Sequence, residues 1–177
     1  MADILTRDQR SSLMSKVRSS DTKPEWILRC GLHRLGFRYT LKNNNVLGRP
    51  DIVLSKYRAV VFVHGCLWHQ HSGCKDATIP KKNRDFWKRK FAENVRRDQR
   101  VFHSLSDSGW NVIVVWECEL CKRTVETIER VAREITNNLK TRLQAQCDAR
   151  ILKRDQLMKI AKDRVRRRLD SYGKNNE

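Results

Sequence analysis

The stretch that most constrains this chain runs from Gly48 to Cys74. It reads Gly-Arg-Pro-Asp-Ile-Val-Leu, then a polar break from Ser55 to Arg58, then Ala-Val-Val-Phe-Val-His-Gly-Cys-Leu-Trp-His-Gln-His-Ser-Gly-Cys. The apolar runs Ile52 to Leu54 and Ala59 to Val63 are rich in β-branched residues, so they predict two neighbouring strands joined by a tight turn. Antiparallel neighbours bring the start of the first strand beside the end of the second. Asp51 then meets a segment holding three histidines (His64, His69, His71), two cysteines (Cys66, Cys74) and Trp68. A hydrophobic core has no need of such a meeting.

Two kinds of chemistry fit these residues. Cys66-x4-His71-x2-Cys74, completed by Cys118 at the end of a later apolar strand, offers thiolates and an imidazole for a closed, tetrahedral structural zinc. Cys121 rivals Cys118 through Cys-Glu-Leu-Cys, and a set of buried free thiols is the alternative to zinc. Asp51, His64 and His69 remain. On a basic protein they point to phosphodiester hydrolysis, with the carboxylate holding Mg²⁺ and a neutral imidazole deprotonating the attacking water. The competing reading makes each histidine a hydrogen-bonded structural residue. Leu67 and Trp68, lying between the zinc ligands, are either a rigidly mounted wedge for a base stack or local packing over the zinc.

Charge narrows the partner. The 177 residues carry 38 Lys and Arg against 20 Asp and Glu, a net +18, which attracts polyanions through counterion release. Nucleic acid is the first expectation; a merely well-solvated basic protein is the bland one. No run of about 18 apolar residues occurs, so no membrane span is expected, and the N-terminal residues lack a secretory pattern, which predicts a cytosolic address. Six cysteines in that setting favour metal over disulfides. The length suits one sizeable core.

Around this centre the chain reads as alternating α and β. Residues 1–20 form a basic arm or short helix carrying Met14. Thr22, Pro24 and Glu25 make a capping box for a helix bearing Ile27, Leu28, Leu32 and Leu35 and ending at Gly36. On that pattern Glu25 serves structure before catalysis. Phe37 to Leu41 predicts a strand. A long helix over residues 85–106 buries Trp87, Phe91, Val95, Phe102 and Leu105; its other side, with Arg96, Arg97 and Arg100, is a solvated face or a phosphate track. Trp110 to Trp116 predicts a buried strand, followed from Thr124 by an amphipathic helix. Residues 144–177 form a basic helical extension beyond a domain at 21–143.

Gly48-Arg49-Pro50-Asp51, Val-Phe-Val-His-Gly-Cys-Leu-Trp-His-x-His, Asn94-Val-Arg-Arg-Asp98 and Gly-Trp-Asn-Val-Ile-Val-Val-Trp-Glu-Cys together resemble the very short patch repair (Vsr) DNA mismatch endonucleases, from about Met14 to Leu120. The resemblance implies a restriction-endonuclease-like α/β fold, a central mixed sheet flanked by helices. It implies a bacterial enzyme that nicks double-stranded DNA 5′ to the thymine of a T:G mismatch left by deaminated 5-methylcytosine. Carried over by position, Asp51 ligates Mg²⁺, with the Val63 carbonyl able to reach the metal, and His69 activates water. Asp98 orients an active-site imidazole, Glu25 holds hydrated metal and His64 assists near the phosphate. Cys66, His71, Cys74 and Cys118 match the structural zinc ligands; Leu67, Trp68 and Met14 match the apolar DNA wedge. Leu67 stands where a Phe is common, and Val63 where some members carry Thr. Monomer is the default, and repair-pathway proteins are possible partners. Two other readings stay open: a homing or restriction-type nuclease cutting paired DNA at a defined sequence, and a non-catalytic zinc-containing DNA-binding module.

Overall fold

The computed structural model describes residues 9, 12, 20–41, 43 and 45–173, with side chains described as far as residue 160. The expectation of an N-terminal arm, and with it Met14, lies outside the described residues. The elements are α1 (Lys23–Arg34), β1 (Ile52–Leu54), β2 (Ala59–His64), α2 (Arg84–Asp107), β3 (Asn111–Trp116), α3 (Glu117–Lys122) and α4 (Thr124–Gly173). The chain divides into two compact units, one up to Thr136 and one from Asn137 onward. In the second unit the exposed large apolar side chains include Leu143, Ile151, Leu152, Leu157 and Met158. No helix among the described residues is long and apolar enough to cross a membrane.

The sheet is mixed, in the order β1-β2-β3. β1 pairs antiparallel with β2, Ile52 opposite Val61. β2 pairs parallel with β3, His64 opposite Trp116. The polar break is a one-turn 3₁₀ helix, Ser55–Tyr57, closed by Arg58 in the left-handed region at φ 50°. The predicted strand from Phe37 to Leu41 is reduced to one bridge, Thr40 to Val53; Phe37 instead packs into the core, its ring tilted against Tyr57 with centroids 5.3 Å apart. Its side chain is used, its backbone ladder is not.

Alternation on the strands builds two cores, one on each face. Ile52, Leu54, Ala59, Val61, Ile113 and Val115 turn one way, against Leu28 and Leu32 of α1 and Val131 and Ile135 of α4. Val53, Val60 and Phe62 turn the other way, with Leu105, Val101 and Phe102 of α2. A three-stranded sheet covered on both sides has apolar residues at successive positions, which is why β1 is buried throughout. Gly31 lets α1 approach α4: a Cβ there would lie 2.4 Å from Ile128 Cδ1, so any larger residue forces the pair apart. These contacts hold the carboxyl end of β2, and the candidate site residues among the described residues gather around it.

Candidate active site

Asp51 precedes β1, and the antiparallel register carries it across to the end of β2 as the sequence predicts. Its backbone N–H donates to Val61 O at 3.0 Å. The Val63 N–H donates to Asp51 Oδ2 at 2.7 Å, and the carboxylate lines the cleft. Burial, reinforced by the neighbouring Glu25 charge, pushes the Asp51 carboxyl up to about 6, although the Val63 N–H and the Arg29 charge pull the other way. A carboxylate this reluctant to ionise is one that a cation would stabilise.

β2 ends in His64, which is buried and stacks on His69 with ring centroids 3.7 Å apart. Burial first, then the His69 and Arg97 charges, lower the proton affinity of His64 to about 4, against the pull of Asp98. It is therefore a neutral imidazole at neutral pH. His69 Nδ1 is in short contact with the Asp98 carboxylate Oδ2. A carboxylate at Nδ1 selects the tautomer with its proton there and leaves Nε2 basic. Asp98 Oδ1 also accepts from Arg97 at 3.1 Å. Asp98 belongs to a stripe on α2, Trp87, Phe91, Asn94 and Asp98, spaced four, three and four residues apart, which places all four on one face. Asn94 Nδ2 donates to Trp68 O at 3.1 Å and ties the loop after β2 to that helix.

Asp51, Val63, His64, His69, Asp98 and Glu25 line one open cleft of about 860 Å³, together with Trp68, Asn94 and Arg97. Glu25 stands differently from the others. Its Oε1 accepts from the Thr22 hydroxyl at 2.8 Å and its Oε2 from Arg29 at 2.8 Å. It also reaches back to the Thr22 N–H at 3.3 Å, as the capping box predicts. Both oxygens are thus engaged in fixing the start of α1.

The loop from Gly65 to Cys74 folds back on itself through backbone bonds from His69 to Gly65, His71 to Cys66 and Cys74 to His71. It gathers Cys66, His71 and Cys74 around Cys118, with the four ligand atoms within 4.8 Å of one another. His71 Nδ1 lies 3.3 Å from Cys118 Sγ and 3.7 Å from Cys66 Sγ. A tetrahedral zinc with ordinary bond lengths separates its ligand atoms by about 3.5–3.8 Å, so the group fits. Burial pushes the Cys66 thiol up to about 12 and raises Cys118 as well; a dication among thiols reverses that preference outright. Cys118 lies in the first turn of α3 and not on the end of β3 as expected, because the chain turns helical directly after Trp116. Cys121, one turn on, is exposed and outside the group. The His71 ring stacks on Trp116 at 4.1 Å, locking the loop to the sheet.

Leu67 and Trp68 lie between these ligands, both half-buried. Trp68 stands edge-on to Trp87 and Phe91, at 6.0 and 6.1 Å, and Phe86 continues the row while 53% exposed. Trp68 therefore packs on α2 aromatics. Trp87, expected on the buried side of its helix, meets Trp68 instead. Asn94, present in the sequence pattern only as the start of the Asn94-to-Asp98 motif, has its structural role in holding the loop after β2; the four-three-four spacing through Asp98 is the signal that joins both to the site.

An oriented imidazole and a buried carboxylate sharing one cleft suit the activation of water for hydrolysis, and the neighbouring cysteine–histidine group could hold a metal. A family profile described as DNA mismatch endonuclease Vsr matches residues 2–75. A type II nicking enzyme of Neisseria meningitidis is 47% identical over 137 residues, covering 76% of this chain and 97% of the relative. A type II nicking enzyme of Xanthomonas oryzae is 46% identical over 120 residues, covering 68% and 88%. The DNA mismatch endonuclease Vsr of Escherichia coli is 36% identical over 135 residues, covering 76% and 86%. The chain belongs to the Vsr family, and it is a DNA endonuclease.

Proposed function

We propose that this endonuclease nicks double-stranded DNA on the 5′ side of the thymine in a T:G mismatch, the lesion left by deaminated 5-methylcytosine, and acts in the bacterial cytosol as a monomer with restriction-endonuclease-like architecture. The observation that carries this reading is the His69–Asp98 pair facing the same cleft as the buried Asp51 carboxylate, next to the Leu67–Trp68 loop.

In this reading Asp51, with the Val63 carbonyl, holds Mg²⁺. Mg²⁺ bound there would supply Lewis-acid stabilisation of phosphate charge. His69 Nε2 takes the proton of the attacking water, and Asp98 keeps the ring in the tautomer that can do so and balances the imidazolium that forms. His64, neutral and stacked on His69, holds that ring in plane and offers a hydrogen bond near the phosphate. Glu25, paired with Arg29, fixes the helix start that borders the cleft, and its charge there favours the hydrated metal. Cys66, His71, Cys74 and Cys118 hold a structural zinc, which makes the loop stiff enough to press Leu67 and Trp68 into a base stack. Met14, on the arm, enters from the minor groove. A T:G pair is cheaper to unstack than a paired step, so a fixed wedge favours it. The expected result is single-turnover nicking at least about 10²-fold faster on a T:G duplex than on its paired counterpart; cutting of paired DNA at a defined sequence would instead indicate a restriction-type nuclease.

The basic extension, residues 144–177 with ten Lys and Arg against five Asp and Glu, adds contacts to flanking phosphates. Each phosphate contact contributes about 0.9 to the slope of log affinity against log salt. Ending the chain after Leu143 is expected to flatten that slope by about 3 or more, with saturated nicking rates within about threefold of the full chain. An unchanged slope would remove the extension from the DNA interface.

A further inference from the structure

The roles above leave the cleft's own cationic side chains unassigned. Its lining holds four carboxylates, Glu25, Asp51, Asp98 and Glu117, and two arginines, Arg49 and Arg97. A phosphodiester entering there passes from one negative charge towards two as the attacking oxygen closes on phosphorus. A fixed positive charge standing where that extra charge develops lowers the barrier beyond what a metal on Asp51 would supply.

Arg97 stands on α2, one residue from Asp98, and its side chain is 58% exposed within the cleft. One guanidinium nitrogen donates to Asp98 Oδ1, and the same carboxylate takes His69 Nδ1 on Oδ2. A single carboxylate therefore fixes the imidazole and the guanidinium relative to each other, on a rigid helix. That tether uses one of the five N–H groups of the fork and leaves the rest to donate. Arg49, by contrast, sits on a loop in the left-handed region at φ 52° and makes no side-chain hydrogen bond among the described residues.

We propose that Arg97 is a catalytic residue that donates to a non-bridging oxygen of the scissile phosphate and stabilises the charge that grows on it during attack. The proposal rests on the endonuclease reading. The oxygen of water bonds to phosphorus while its proton passes to His69 Nε2, the departing ester oxygen leaves with the bonding pair and takes a proton from solvent, and Arg97 stays protonated throughout. A planar fork suits two phosphate oxygens in a way an ammonium does not, so Arg97→Lys retains only part of the function.

The test is single-turnover nicking of a T:G duplex by wild type, R97K and R97A, with binding of the same duplex measured without Mg²⁺ and a thermal melt of each protein. Arg97 is solvent-exposed, so all three are expected to melt alike. R97A is expected to lose on the order of 10²-fold in rate while affinity changes less than about threefold, because one contact among many phosphate contacts is removed. Millimolar guanidinium is expected to restore R97A at least about tenfold and wild type not at all. A rate for R97A within about threefold of wild type would overturn the proposal and leave the endonuclease reading standing. A large loss that guanidinium does not repair would also overturn it, since Arg97 would then act only by holding Asp98. Wild type that nicks no duplex would remove the endonuclease reading, and this role with it.

Discussion

Asp51→Asn is expected to cost on the order of 10³-fold or more in nicking rate and, at the same time, to make the Mg²⁺-free protein more stable. The carboxylate is the proposed metal ligand, yet burial raises its pKa to about 6, above the value near 3.9 of an unfolded chain. Between those two values the folded state binds more protons, so this group's contribution to stability falls as pH rises. Above pH 6 the ionised, buried Asp51 is a standing cost of up to ~3 kcal/mol, discounted by whatever water reaches the open cleft. Asparagine can still accept from the Val63 N–H and carries no charge. Thermal melts at pH 7.5 without Mg²⁺ are expected to place Asp51→Asn a few degrees above wild type, with the gap closing as pH falls towards 4. A variant that melts below wild type at pH 7.5 would contradict this account of the cleft. The same proton competes with metal, so the Mg²⁺ concentration for half-maximal nicking is expected to rise about tenfold per pH unit below 6.

Loss of metal from the cysteine–histidine group is the second large effect. His69 and Trp68 lie between Cys66 and His71, so the segment that carries the proposed general base and wedge is the segment a metal bound there would close. Structural zinc in small peptides contributes about 10–16 kcal/mol. Here a folded core already positions Cys118, so the share lost on chelation is expected to be on the order of 5 kcal/mol. Cys118→Ser is nearly isosteric and removes one ligand without opening a cavity. Both the chelated protein and the variant are expected to melt at least about 10 °C lower, and both to lose nicking. Metal analysis of the untreated protein should return one zinc per chain. Unchanged melting and nicking after full removal of zinc would leave the four residues as packed thiols and an imidazole.

The site was legible where residue type and register coincide. Two β-branched runs with a four-residue break dictated an antiparallel pair, and that pair alone sets Asp51 beside Val63. The capping box around Thr22 and Glu25 and the boundaries of α2 follow from local rules of the same kind. What lay beyond reach was long-range. Whether Phe37 to Leu41 completes a ladder depends on what packs beside it, and there the aromatic side chain is buried while only Thr40 pairs. The turn into α3 at Glu117 depends on Glu119 reaching back to the Trp116 N–H, a capping contact hidden inside an apolar pattern. Arg97 read equally well as a solvated face or a phosphate track, since nothing in helical spacing tells which turn of α2 borders the cleft.

The most direct measurement uses one T:G duplex labelled at the 5′ end of either strand, incubated with Mg²⁺ and the protein beside the fully paired control. The account predicts a single nick, in the thymine strand only, at the phosphate immediately 5′ of the mismatched thymine, with the control intact over the same time. Nicks in both strands, or equal cutting of the paired duplex, would contradict it.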